Sequence, residues 1–277
     1  VRALAWLLAL QIAATGSPSF EVASVKPSPP AEPNRFGFPV AATIRIASGG
    51  RFTATQATLR DLLRRAYDVQ DNRVTGGPAW IGSDRFDVTA AAEAGSPDTA
   101  ERMQRMLQSM LIERFRLRVH TETRDVPVYY LVPARSDGRL GPRLRKSAVD
   151  CAALRARRGP GGTAPADGSE PECQTSFNVS GGSMTIGFQG ETTTDLARRV
   201  IPERDRPVID RTNLPGTFDG ELTFAPEPLP GFPRLPGSEN GVSVYTALQE
   251  QLGLRLEAGR GPVEIIVIES AERPTDN

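Results

Sequence analysis

One order of strands and helices occurs twice in this chain, and that repetition limits the fold more than any single motif. In the first half, residues 43–46 and 51–55 alternate across Gly49-Gly50 and read as two short strands. A helix follows over 58–67. Leu59, Leu62, Leu63, Ala66 and Tyr67 fall on one of its faces, and Thr58 is placed as its N-cap. A short strand near Val74 and a clearer one over 85–90 lead to a second helix, opening at Ser96-Pro97 and carrying Met103, Met106, Leu107, Met110 and Leu111. Residues 115–120 and 126–132 then alternate and predict a hairpin.

The second half answers in the same order: 183–188, 194–200, 207–210, 217–224, 244–252, 254–257 and 263–268. The expected class is α+β, two tandem β-α-β-β-α-β-β repeats with antiparallel strands and helices packed on one sheet face. The expected boundaries are a first repeat over 20–140, a Gly/Pro-rich linker with a cysteine pair over 141–180, and a second repeat over 181–272.

Residues 1–17 read as a signal peptide. Arg2 precedes an apolar run of about a dozen residues that ends in small ones. That run is short of the ~20 residues a membrane helix needs, and no later segment could span a membrane. The expected location is extracytoplasmic, in the periplasm, secreted or at the cell surface. In such a compartment Cys151 and Cys173, the two cysteines of the chain, are expected to pair. A reactive thiol or half of a metal site are the other readings.

Lys+Arg and Asp+Glu both number 33, so no net field draws the chain to nucleic acid or to an acidic membrane. The basic residues are nearly all arginine; Lys26 and Lys146 are the lysines. His120 is the sole histidine, so it has no second imidazole with which to build a metal site. It could still serve as a general base, or sit on an edge strand without a role. Ser183 follows Gly181-Gly182 outside any Gly-x-Ser-x-Gly elbow and reads as turn chemistry. No catalytic residue, metal site or cofactor is assigned.

The candidate binding residues are Trp80, Arg85, Asp87, Arg211 and Asp219. Asp87 and Asp219 each follow a Phe at matching places in the two halves. Paired carboxylates could cleave a glycoside if ~5–10 Å apart. Duplication alone would also place them there, bonded to turn amides or to arginines such as Arg85 and Arg211. Trp80 could stack on a sugar or peptide, or pack in the core.

Several stretches resemble a known family: Phe20-Glu-Val-Ala-Ser-Val-Lys26-Pro27, Thr58-Leu-Arg-Asp-Leu-Leu-Arg-Arg-Ala-Tyr67, Gly77-Pro-Ala-Trp80, Arg85-Phe-Asp-Val88, Leu111-Ile-Glu-Arg-Phe115, and Val208-Ile-Asp-Arg-Thr-Asn-Leu-Pro-Gly-Thr-Phe-Asp219. The set resembles the soil-associated exported proteins of the DUF3738 type, abundant as paralogues in Acidobacteria, and it covers nearly the whole mature chain. The resemblance implies export and a shared fold and brings no established activity. Some members carry this region behind a membrane metallopeptidase of the antibiotic-sensor type, which implies a sensor-type domain as one reading. The others are a cell-envelope hydrolase using the paired Asp, and a non-catalytic module that binds an envelope protein or peptide, for instance by strand addition at a sheet edge.

Overall fold

The computed structural model describes residues 17–31, 40–47, 49–95, 99–158, 173, 175–200, 206–227, 234 and 236–275. The expected signal peptide falls almost wholly outside them. In chain order the first half holds β1 (Val22–Pro27), β2 (Thr43–Ala47), β3 (Arg51–Thr58), α1 (Leu59–Tyr67), β4 (Val74–Gly76), β5 (Arg85–Ala91), α2 (Ala100–Phe115) and β6 (Arg118–Pro133). The second half holds β7 (Leu144–Lys146), α3 (Cys151–Arg158), β8 (Ser176–Ser180), β9 (Ser183–Glu191), α4 (Thr193–Asp195), β10 (Val208–Asp210), β11 (Phe218–Phe224), α5 (Val244–Ala247) and β12 (Leu254–Ser270). α4 and α5 continue as π-helical turns over Leu196–Val200 and Leu248–Leu252.

The chain is a mixed α+β protein with three four-stranded, mostly antiparallel sheets. Strand order is β1-β5-β3-β2 in the first, β10-β6-β12-β4 in the second and β7-β11-β9-β8 in the third. The segment 141–180, expected as a linker, therefore supplies both outer strands of the third sheet. No helix among the described residues is long and apolar enough to cross a membrane.

Local chemistry accounts for the helices. Thr58 and Asp61 close a reciprocal capping box at the start of α1, and Leu59, Leu62, Leu63 and Ala66 are buried along one face. The second helix starts at Ala100, capped by the Thr99 hydroxyl, and buries Met103, Met106, Leu107, Met110, Leu111 and Phe115. Its expected opening at Ser96-Pro97 lies outside the described residues. These two faces pack with Phe52, Phe86 and Val88 of the first sheet into one core. A second core joins Leu196, Ala197, Leu248 and Leu252 to Ile186, Phe188, Phe218 and Leu222.

Neither expected hairpin forms. Residues 118–133 run as a single strand, paired antiparallel over nearly its whole length with β12, so each expected hairpin is one long strand of a shared ribbon. Thr121-Glu-Thr-Arg-Asp125 holds no glycine or proline to reverse the chain. Gly259 and Gly261, in the matching stretch of β12, serve close packing. A Cβ on Gly259 would lie 2.6 Å from the Tyr130 ring, and one on Gly261 the same distance from its hydroxyl. That hydroxyl donates to the Arg260 carbonyl at 2.5 Å.

The ribbon crosses between the two cores. Leu117 and Val119, at the start of β6, join the first core, while Tyr129 and Leu131, at its end, join the second. β12 runs the other way, from Leu254 and Leu256 in the second core to Ile266 and Ile268 in the first. β4 lies parallel to β12, and β10 parallel to β6, so each half lends its short strand to the long strand of the other.

Replacing Gly259 by valine forces the added carbons into the Tyr130 ring and is expected to lower unfolding free energy by about 1–3 kcal/mol. Urea unfolding measures it, and Tyr130→Ala in the same chain should remove most of the difference between Gly and Val at 259.

Candidate functional site

Asp87 and Asp219 lie on β5 and β11, in different sheets. Each accepts from the amide of a left-handed residue in the bulge of its neighbouring strand. The Asp87 carboxylate takes the Gln56 N–H at 2.9 Å, where Gln56 has φ 56°. The Asp219 carboxylate takes the Gly190 N–H at 2.9 Å, where Gly190 has φ 62°. Asp87 also accepts from Ser28 Oγ at 2.6 Å. The Asp219 carboxylate has the Arg145 Nε at 3.6 Å. A non-glycine residue at positive φ is strained and persists where its surroundings hold it. Gln56 is held by Asp87, by its own side chain on the Pro29 carbonyl at 2.7 Å, and by Arg85 on its carbonyl at 2.8 Å.

The expected Arg partners therefore do other work. Arg85 Nη1 donates to the Val40 and Gln56 carbonyls, tying Val40 to the bulge. Arg85 also lines a cleft of about 290 Å³ with Ser28, Pro29, Val40 and Gln56. The Arg211 guanidinium stacks 3.5 Å from the Tyr130 ring centroid. Trp80 is roofed by Arg273, 5.2 Å from its centroid, and walled by Phe86 and Phe115. Its ring is thus already engaged on both sides.

At the second bulge the start of α3 takes the covering position, with Cys151 buried. Cys151 is bonded to Cys173 as expected, and its sulfur packs over Gly190, where a Cβ would meet it at 2.6 Å. Closing a 22-residue separation contributes about 3 kcal/mol by chain entropy. From the same helix Arg155 pairs with Glu191, which is 2% exposed.

Asp210 is the most fully bonded carboxylate. It accepts from the hydroxyls of Thr193 at 2.7 Å and Thr194 at 2.9 Å, and from the amide and hydroxyl of Thr212. Burial pushes its pKa up, but those hydrogen bonds together outweigh burial and hold it below the usual aspartate value. His120 sits on β6 in the central sheet with Nδ1 2.7 Å from Glu269, both about half exposed. Ser183 opens β9 in the third sheet, after the Gly181-Gly182 turn. No group of three His, Cys, Asp or Glu among the described residues is placed to hold a metal ion.

The chemistry left open is an edge. β8 is the outer strand of the third sheet, and all five of its residues are exposed. Its sequence, Ser-Phe-Asn-Val-Ser, has no charge and no proline. Proteins usually guard an outer strand with such residues or keep it short. Among the described residues the other outer strands follow that rule: β1 carries Lys26 and Pro27, β2 Arg45, and β7 Arg145 and Lys146, while β4 and β10 are three residues long. Phe177 faces the same way as its neighbour Ile186, and Val179 as Met184, so the core-facing row continues into solvent. Phe177 is 63% and Val179 53% exposed. On the first sheet the outer-strand residues Ile44 and Ile46 are packed against the core. There α2 has sixteen residues; here α5 has four and its π-helical turn five.

Asp87→Ala and Asp219→Ala each leave a bulge amide without its acceptor, and each is expected to cost about 1–3 kcal/mol in urea unfolding. Unchanged midpoints would remove the bulge-staple account. Asp210 stabilises the fold fully at neutral pH, since its pKa is depressed on folding. That contribution disappears as pH falls below the ordinary aspartate range toward the folded pKa. Asp210→Asn should therefore flatten the acid limb of a melting-temperature profile while lowering stability at pH 7.

No curated protein and no solved structure is similar enough to match the chain. One family does match, described as a protein of unknown function, DUF3738, and its match spans residues 60–271, which hold nearly all of α1, both bulge carboxylates, β8 and the whole of β12. The chain belongs to the DUF3738 family.

Proposed function

We propose that this protein is a duplicated extracytoplasmic module that acts by binding an extended polypeptide segment at β8 rather than by catalysis. The carrying observation is the unguarded, uncharged outer strand with Phe177 and Val179 in solvent. Such an edge supplies main-chain hydrogen bonds for affinity and alternate side chains for selectivity. The conspicuous carboxylates and arginines of the chain support the same reading from the other side, because Asp87, Asp219, Asp210, Arg85 and Arg211 are engaged in holding backbone or rings. The disulfide suits an oxidising compartment.

Several matched features support duplication. The first and third sheets have the same strand order counted from the start of each half. Thr58 and Thr192 cap the matching helices, and Gln56 and Gly190 take the left-handed bulge position. Arg116 and Gly253 end the second helix of each half in the left-handed region. The family resemblance to exported proteins agrees with the extracytoplasmic assignment, and the lining of β8 suits an envelope protein or peptide as the partner.

The test is a photo-crosslinking amino acid placed at Phe177 in cells. The same probe at Ile112, 52% exposed on α2, serves as control. A polypeptide adduct is expected from position 177 and not from 112, and Val179→Pro should suppress it by removing a main-chain donor from the edge. Absence of any polypeptide adduct at 177, or one indifferent to Val179→Pro, rules the reading out.

A further inference from the structure

We infer that the segment seated on β8 is β8 of a second copy of this chain, paired antiparallel about a two-fold axis through Asn178. The inference rests on the interaction reading above and names its partner.

The first argument is the sequence of the strand. Ser176-Phe-Asn-Val-Ser180 reads as serine, apolar, Asn, apolar, serine in either direction. A two-fold axis presents the same patch to itself, so a self-complementary strand is what such an interface requires. The strand is also neutral, so two copies meet without like-charge repulsion.

The second argument is backbone direction. Gly181 and Gly182, at φ 56° and 77°, form a two-residue turn between Ser180 and its partner Ser183. Residues flanking such a turn exchange both their hydrogen bonds, and the pattern alternates along the ladder. Ser180, Asn178 and Ser176 are therefore bonded to β9. The N–H and C=O groups of Phe177 and Val179 point away from the sheet, toward a newcomer.

The third argument is register. With the axis at Asn178, Phe177 of one copy faces Val179 of the other, and the reverse holds by symmetry. Both pairs exchange two hydrogen bonds, and all five residues overlap. An axis at Phe177 or at Val179 would leave part of the strand unpaired. A one-residue slip would set apolar side chains against the polar face. The Asn178 register also forms two aromatic-to-β-branched cross-strand pairs, a favourable combination. It extends the uncovered row of Phe177, Val179 and Met184 across the junction and joins two four-stranded sheets edge to edge.

The experiment uses the disulfide-bonded protein and sedimentation velocity over a range of concentrations. The wild type is expected to pass from monomer to dimer as concentration rises. Asn178 faces its own copy across the axis, so Asn178→Lys alone and Asn178→Glu alone each set like charges together. Each should weaken the dimer by about fivefold or more. An equimolar mixture of the two variants sets opposite charges together and should recover dimer, now as a heterodimer. Recovery on mixing supports the symmetric pairing, because no other placement of position 178 produces it. A wild type that stays monomeric to hundreds of micromolar overturns the inference, as do single variants that dimerise like the wild type. If the wild type is monomeric while the probe at 177 still captures a different polypeptide, self-pairing fails and the interaction reading stands. If 177 captures nothing, both fail.

Discussion

The fold depends on the pairing of β6 with β12. Among the described residues this ribbon is the structure that belongs to both cores, and its two strands run between them in opposite senses. Leu117 and Ile268 meet under α1 and α2, while Leu131 and Leu254 meet under the helices of the second half. Its other face carries a smaller cluster built on Val128, Tyr130, Val263 and Ile265. Tyr130 is its centre. Two glycines make room for its ring, Arg211 stacks on it, and its hydroxyl reaches a carbonyl on the opposite strand. Removing one end of either strand would open a helical core and unpair the ribbon at once.

The polar chemistry follows from how the outer sheets are bent. Each has a bulge whose left-handed residue exposes an amide, and each bulge is held by an aspartate on the next strand. What covers the bulge differs. Ser28, Pro29 and Arg85 bond around Gln56, whereas the start of the disulfide-bonded helix lies over Gly190. The same aspartate-to-bulge contact thus sits under two different coverings.

Much of this was legible in the residues. The helix faces over 58–67 and 101–111 have the spacing that burial demands, and the α+β class follows from them. The matching of Asp87 with Asp219 was visible too, and so was a bond from each to a backbone amide, but not which amides they would take. Gly190 announces a left-handed site, whereas Gln56 gives no such sign. The arginine partners were misjudged because a guanidinium reaches whatever carbonyl the loops bring near, and the position of Val40 is not written in local sequence. The ribbon differs from the expected hairpins because two alternating segments in a row read alike whether the chain turns between them or runs straight, and the tyrosine that requires Gly259 and Gly261 lies on another strand. The outer strand β8 was folded into a linker although its signal is strong: alternating Ser176–Ser180, Gly-Gly, then alternating Ser183–Glu191. The loop composition ahead of it masked that pattern.

The exchange of short strands has a consequence for synthesis. β4 waits for β12, which follows every other described element in chain order. While the polypeptide is still emerging, the first half lacks Ile266 and Ile268 from its interior and has nothing against which to lay Val74. The first half therefore cannot close until β12 has been made. A nascent chain of this design stays open, and in need of protection, until that strand arrives.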